Sequence, residues 1–361
     1  MRKNYYSYYQ PKEEVKKRKK HSVYFHLFLF IATFLSTAIA GAQWAGHDFT
    51  HLENIIYGFT YGILMSVFFL SHEFGHYFAA RHHKVDATLP YFIPFPPAPG
   101  LIGLFGTFGA VIRTRSPILS RKVLFDIGVS GPIAGFVVSL LFLIYGLMTL
   151  PTIDFIYNIH PNYVLLHRGM IPAEGLFYGD SILYHLLSSV FANSDGFLPP
   201  MNEIYHYPFL NVGWFGLFVT VLNMIPIGQL DGGHITYAMF GAKRQGQIAR
   251  FFWWLIMIMG FLGFLSLTHD SLNYVKEGSS YYILKQLFFG PLHWIEINAP
   301  VLFDAWGGWL FWGLITRIFI KLDHPPVKEN DDLDSGRMYI GWFAILILIL
   351  SFSYNGIYFL E

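Results

Sequence analysis

His72-Glu73-Phe74-Gly75-His76 places two imidazoles four residues apart, with a carboxylate beside the first. On a helix, residues four apart share a face, so both rings can reach one metal ion. Glu73 then stands close enough to take a proton from water held at that ion, the chemistry of metal-assisted hydrolysis. The sequence contains no cysteine, which excludes disulfides, thiolate metal sites and cysteine nucleophiles. Any ion is therefore held by imidazole and carboxylate. Zinc suits that donor set, although another divalent metal could occupy it in vitro. Two histidines and a water leave tetrahedral zinc one ligand short, and Asp231 in "VTVLNMIPIGQLDGGHI" (219–235) is the candidate for the third. Pro226 and Gly228 weaken the helix just before it and let the carboxylate turn inward. A plainer reading stays open for each: histidines at a helix end meeting the lipid interface, and Asp231-Gly232-Gly233 as turn chemistry.

These residues lie in an apolar chain. The sequence has 361 residues, 54% hydrophobic and 13% charged, against about 25% charged in a soluble domain. Its 37 Phe, 23 Tyr and 9 Trp suit aromatic belts at a lipid–water boundary. The fold class is therefore an all-α polytopic membrane protein. Runs near 22–42, 56–80, 123–150, 209–230, 250–267, 300–320 and 338–359 reach the length of roughly 20 residues that a span needs, giving about seven transmembrane helices. The stretch 281–297, interrupted by Gly290-Pro291, reads as interfacial or re-entrant. A glutamate inside a span costs about 2–3 kcal/mol or more unless it is satisfied, and such residues usually mark function.

Charge placement supports the span count. A basic, polar tail occupies residues 1–21, and the apolar segment after it is too long for a typical signal peptide and lacks a cleavage site. If that tail is cytoplasmic, so are the loops with Arg81, Lys84, Arg113, Arg115, Arg121 and Lys122, with Lys243, Arg244 and Arg250, and with Arg317, Lys321, Lys328 and Arg337. The opposite loops are poor in Lys and Arg: none in 43–55, only Arg168 in 151–208, and Lys276 and Lys285 in 268–299. Asp231 then falls at the cytoplasmic end of the fourth span, on the membrane side where the second span ends with His76.

Two regions are not spans. "LPYFIPFPPAPG" (89–100) has too many prolines for helix or ladder and reads as an extended loop. The β-formers after it, 103–112, suggest a short membrane-associated strand or hairpin between the second and third spans. Residues 151–208 form an external insert of short helices. The organisation is a tail (1–21), a first helix and external loop (22–55), a core with its insert (56–242) and C-terminal transmembrane helices (243–361).

HEFGH on one span, with Asn223-x-x-Pro226-x-x-x-Leu230-Asp231-Gly232 later, resembles the site-2 protease family of intramembrane zinc metalloproteases. Gly131-Pro132-Ile133-Ala134-Gly135, "GTFGAVI" and "GQLDGGH" are similar to its patterns, the last two to a branch of bacteria and plastids. The likeness covers roughly 56–242, and the insert lacks the length and pattern of the PDZ domain that many relatives carry. The resemblance implies His72, His76 and Asp231 as ligands of one zinc ion, Glu73 as general base, and Asn223 near the metal as a hydrogen-bond donor to the substrate. It implies cleavage of peptide bonds in or near transmembrane segments of substrate membrane proteins. The lipid bilayer is the other partner, and nucleic acid is not expected as one. Competing readings are a metal-ion transporter and a catalytically silent membrane chaperone built on the same residues. Gly131 and Gly135 read as packing residues, His234 as a tyrosine- or backbone-bonded histidine, and "LDHPPV" (322–327) as a helix stop near the site. The basic tail, with no long transit peptide, fits a prokaryotic inner membrane with N-terminus and site toward the cytoplasm.

Overall fold

A computed structural model gives the structure of the chain and describes residues 22–97, 105–329 and 331–360. The basic tail 1–21 and part of the proline- and glycine-rich connection, 98–104, lie outside the described residues. Four helical stretches are long and apolar enough to cross a membrane: α1 (Val23–Trp44), α2 (Phe59–His82) with the 3₁₀ turn Leu52–Gly58 before it, α3 (Arg121–Met148), and α8 (Asp231–Asn273). This is the architecture of a helical membrane protein. Between α3 and α8 lie short helices α4 (Asp154–Ile159), α5 (Pro161–Leu165) and α6 (Ile182–Phe191), and then α7 (Pro208–Met224). The C-terminal part adds α9 (Tyr282–Asn298), α10 (Pro300–Phe303), α11 (Gly308–Ile315) and α12 (Ser335–Ser351).

Helix α3 is the hub, packed by α2, α7, α8 and α12. The core runs through these contacts, with Phe68, Leu143, Leu210 and Trp214 buried within it. At one end of the bundle polar staples set the helix positions. Arg121 donates to the Ala238 carbonyl of α8 at 2.6 and 3.0 Å, and Asp126 accepts from Arg337 of α12 at 2.6 and 2.8 Å. His83, just past α2, lies 2.8 Å from the same Asp126 carboxylate. Such pairs are favourable where the chains leave lipid and charge meets water.

Several expectations change. The proline-rich connection does contain a strand: β1 (Tyr91–Pro94) pairs antiparallel with β2 (Thr107–Val111), and a register shift between Phe92 and Pro94 accommodates the proline. This hairpin lies along α1, where Ser36 donates to Gly106 O at 2.6 Å and His26 meets Pro90 O at 3.0 Å. Those two points on α1 are about 15 Å apart at helical rise, so the hairpin reaches well into the bundle. A second pair, β3 (Gly175–Tyr178) with β4 (Ile357–Leu360), ties the insert to the chain's last residues and has no sequence signal. The stretch 281–297 gives one continuous helix, α9 (Tyr282–Asn298), despite Pro291, whereas 300–320 is broken after Phe303 into α10, α11 and a π turn.

The expected fourth span also ends early. Helix α7 stops at Met224, residues 225–230 turn, and Asp231 is the first residue of α8 rather than the end of a span. Gly228 has φ +52 and its N–H donates to Leu322 O at 2.9 Å, which pins the turn to the C-terminal segment. A Cβ on Gly232 would stand 1.9 Å from the Met224 carbonyl oxygen, so only glycine lets α8 start against the end of α7. Helix α8 is itself kinked at Gly241, where φ is +78. Gly232→Ala should therefore destabilise the protein by about 2 kcal/mol or more, read as a lowered midpoint in detergent thermal unfolding. Gly290→Ala, with nothing within 4 Å of the new Cβ, should leave the midpoint unchanged or raise it.

Candidate metal centre

His72 and His76 lie one turn apart on α2, with their Nε2 atoms 3.2 Å from each other. The Asp231 carboxylate faces both: Oδ2 is 3.5 Å from His72 Nε2 and Oδ1 is 3.4 Å from His76 Nε2. In tetrahedral zinc with bonds of about 2.0–2.1 Å, neighbouring ligand atoms are about 3.3–3.5 Å apart. The trio is close to that spacing, with each imidazole facing a different oxygen of the carboxylate. Its donors, two imidazole nitrogens and a carboxylate oxygen, fit zinc by type as well. Most of the site is also buried: His72, Glu73 and His76 are 4, 5 and 7% exposed, and Asp231 is half-buried.

Neighbouring helices hold the rings in place. His76 Nδ1–H donates to Ile127 O of α3 at 2.7 Å, which leaves the Nε2 lone pair facing Asp231. Gly131 makes room for that ring, since a Cβ there would fall 2.1 Å from His76 Nε2. Packing is the expected role of Gly131, and the group it packs against is the candidate ligand itself. His72 Nδ1 has no partner among the described residues. Asp231 sits at the N-terminus of α8, where the helix dipole favours a negative charge.

The structure brings four of the five expected site residues together: His72, Glu73, His76 and Asp231. Asn223 is half-buried in the last turn of α7, and among the described residues no hydrogen bond links its amide to the trio. Strand β2 lies against α2 beside them, with the ideal Cβ position of Gly109 3.4 Å from Phe69. His234 takes a partner the sequence does not suggest: its Nδ1 is 2.7 Å from His324 Nε2. His324 is buried and its N–H donates to Gln245 at 3.2 Å, while Asp323 turns away to Arg250 at 2.9 Å. "LDHPPV" is thus a strap across the start of α8 as well as a helix stop. A histidine ahead of two prolines is its one sequence signal.

A grouping that the sequence does not announce, His160, Glu203 and His206, converges in the insert. Its only sequence trace is the three-residue spacing of Glu203 and His206. Burial pushes the Glu203 carboxyl up to about 7, against the Tyr163 hydroxyl that donates to it. Burial, reinforced by His160, brings the His206 imidazole down to about 4.

Comparison with known proteins gives the family. Residues 59–267 match the family model of peptidase family M50. The chain is 27% identical over 223 residues to "Probable zinc metalloprotease EGY2, chloroplastic" of Oryza sativa subsp. indica, covering 62% of this chain and 35% of that protein. It is 30% identical over 181 residues to "Probable zinc metalloprotease EGY1, chloroplastic" of Arabidopsis thaliana, covering 50% of this chain and 29% of that protein. The chain thus spans about a third of the length of these curated relatives. Their names give the expected prokaryotic inner membrane no support. No solved structure matches the chain significantly. The family match covers more than half of the chain and includes both HEFGH and the segment that delivers Asp231, so the chain belongs to peptidase family M50, the site-2 protease family.

Proposed function

We propose that this chain is a zinc-dependent peptidase that hydrolyses peptide bonds in or near transmembrane segments of other membrane proteins. The observation that carries the reading is the convergence of His72, His76 and Asp231, with Glu73 buried beside them, on helices apolar enough to lie in lipid. Membership in a peptidase family and the names of the plant relatives support it.

In this reading His72 Nε2, His76 Nε2 and an Asp231 carboxylate oxygen hold the zinc ion. When bound, zinc lowers the pKa of water to about 7 and polarises the scissile carbonyl. Glu73 accepts a proton from the attacking water on its carboxylate and passes it to the leaving amine nitrogen. The water oxygen bonds to the carbonyl carbon, the C–N bond breaks, and a carboxylic acid and an amine result. The Asn223 amide N–H donates to the carbonyl oxygen as that oxygen gains charge. Burial of the cluster strengthens each of these electrostatic terms.

A helical substrate hides its peptide bonds and has to unwind before cleavage. Strand β2 is paired on one side by β1, and among the described residues no second strand occupies its other edge. That edge, next to α2, receives the unwound segment by backbone pairing. A transport site has no use for a buried carboxylate immediately after the first histidine, which favours hydrolysis over metal permeation.

The arrangement in the membrane belongs to the same proposal. Helix α7, the segment Gly308–Ile320 and α12 are shorter apolar helices; crossing with the four longer ones, they make seven spans. The charge alternation puts the N-terminus and the trio's end of the bundle toward the cytoplasm and the 151–208 insert outside. The core is 56–242, with 22–55 and 243–361 as flanking helices.

Glu73→Gln should abolish cleavage of a membrane-embedded substrate in reconstituted vesicles, a loss of at least about 100-fold, while leaving bound zinc unchanged. Asp231→Asn should remove one zinc ion per chain by elemental analysis. Cleavage surviving Glu73→Gln would overturn the mechanism. The cysteine-free sequence permits a clean topology test with an impermeant maleimide on intact cells. Ser194→Cys should label at once, and Leu119→Cys only after permeabilisation; the reverse pattern would invert the orientation.

A further inference from the structure

His160, Glu203 and His206 form a second grouping with metal-ligand chemistry, at the end of the bundle opposite His72 and His76. His160 sits at the junction of α4 and α5, while Glu203 immediately precedes and His206 ends the 3₁₀ turn Ile204–His206 that leads into α7. His160 Nε2 and His206 Nε2 approach to 2.8 Å, and Glu203 Oε2 is 3.6 Å from each. The short contact is satisfied either by a hydrogen bond in which one ring donates Nε2–H to the other's lone pair, or by a cation that both lone pairs bind.

The surroundings favour a cation. Glu203 is 1% exposed, and its Oε2 is buried with no hydrogen-bond partner among the described residues. An unpaired buried carboxylate oxygen is costly. Basic side chains are scarce here: 151–208 contains one Lys or Arg, Arg168, which is exposed. The outer contacts are those that orient metal ligands. His206 Nδ1–H donates to Trp44 O at 2.6 Å, which turns its Nε2 lone pair inward. The Tyr163 hydroxyl donates to Glu203 Oε1 at 2.7 Å, leaving Oε2 for the centre, and the Tyr163 ring stacks on His160 at 4.8 Å.

We propose that His160, Glu203 and His206 form a second metal site, taking a zinc-class divalent ion through two imidazole nitrogens and one carboxylate oxygen. Ligand separations of 2.8 and 3.6 Å straddle the roughly 3.3–3.5 Å of tetrahedral zinc, so binding needs side-chain shifts of only a few tenths of an ångström. The third His/carboxylate grouping, His269, His293 and Glu296, lacks this construction because His293 is exposed and Glu296 only half-buried. The second site is structural. Its ligands lie on the insert and at the entry to α7, and His206 is bonded to the C-terminal residue of α1, so the ion fastens the insert to two helices of the bundle. This assignment is independent of the peptidase reading, because no residue of the first cluster takes part.

The test is zinc content and thermal unfolding of the full chain in detergent after equilibration with zinc and removal of excess. The native chain should hold two zinc ions, His160→Gln/His206→Gln one, Asp231→Asn one, and the triple variant none. Zinc should raise the unfolding midpoint of Asp231→Asn but not that of the triple variant. If the histidine variants fail to fold, the test rests on Asp231→Asn alone. One bound ion there, replaceable by cobalt with a four-coordinate visible absorption, supports the site, whereas no bound ion overturns it. A native chain with a single zinc that Asp231→Asn abolishes, or a His160→Gln/His206→Gln chain that keeps two, also overturns it.

Discussion

Two imidazoles and one carboxylate buried among apolar helices, with the half-buried Asp231 facing them, are the constraint on which the rest of this structure depends. In lipid an unsatisfied carboxylate is expensive, so the helices around the cluster are arranged to hold it in one geometry. Helix α3 supplies the Ile127 carbonyl that orients His76 and, at Gly131, the space its ring occupies. Helix α8 has to begin where it does for Asp231 to face both rings. That beginning depends on a turn whose glycines admit no side chain and whose backbone is bonded to the C-terminal segment.

The two ends of the bundle solve the burial problem differently. At the end carrying Arg121, Asp126 and Arg337, charged side chains are paired: Asp126 with Arg337 between α3 and α12, both partly exposed, and buried Arg121 with the exposed Asp332. At the opposite end Glu203 and His206 are buried with aromatic neighbours and little basic charge nearby. Helix α7 runs between these regions, entered through the Glu203–His206 turn and left through the turn that delivers Asp231. Its placement is thus fixed at both ends by polar groups, while its sides are held by apolar packing against α3.

Much of the chemistry is legible in the chain because it is local. HEFGH encodes its geometry in a helical spacing, and a helix there is dictated by an apolar run that has to satisfy its backbone in lipid. The link to Asp231 is legible in part: residue type and the breaking power of Pro226 and Gly228 point to it. The break falls where those residues put it, just before Asp231, but that Asp231 opens a new helix depends on Gly232, which lets α8 pack on the end of α7. The strand at Tyr91–Pro94 is hidden since a register shift makes a proline tolerable in a ladder, which no proline count reveals. The β3–β4 pair joins residues far apart in sequence, and short strands give little periodicity to detect.

The sequence by itself determined the membrane-helical class, the dyad of His72 and His76 with its adjacent Glu73, and the absence of any thiolate alternative. Each comes from composition or from contacts within a few residues. Only the tertiary structure decided that Gly131 faces His76, that His324 reaches His234, and that His160 meets Glu203 and His206. Those contacts join residues tens of positions apart, and their pairing is set by how whole helices pack. Packing depends on the summed fit of many side chains and leaves no spacing pattern in the chain.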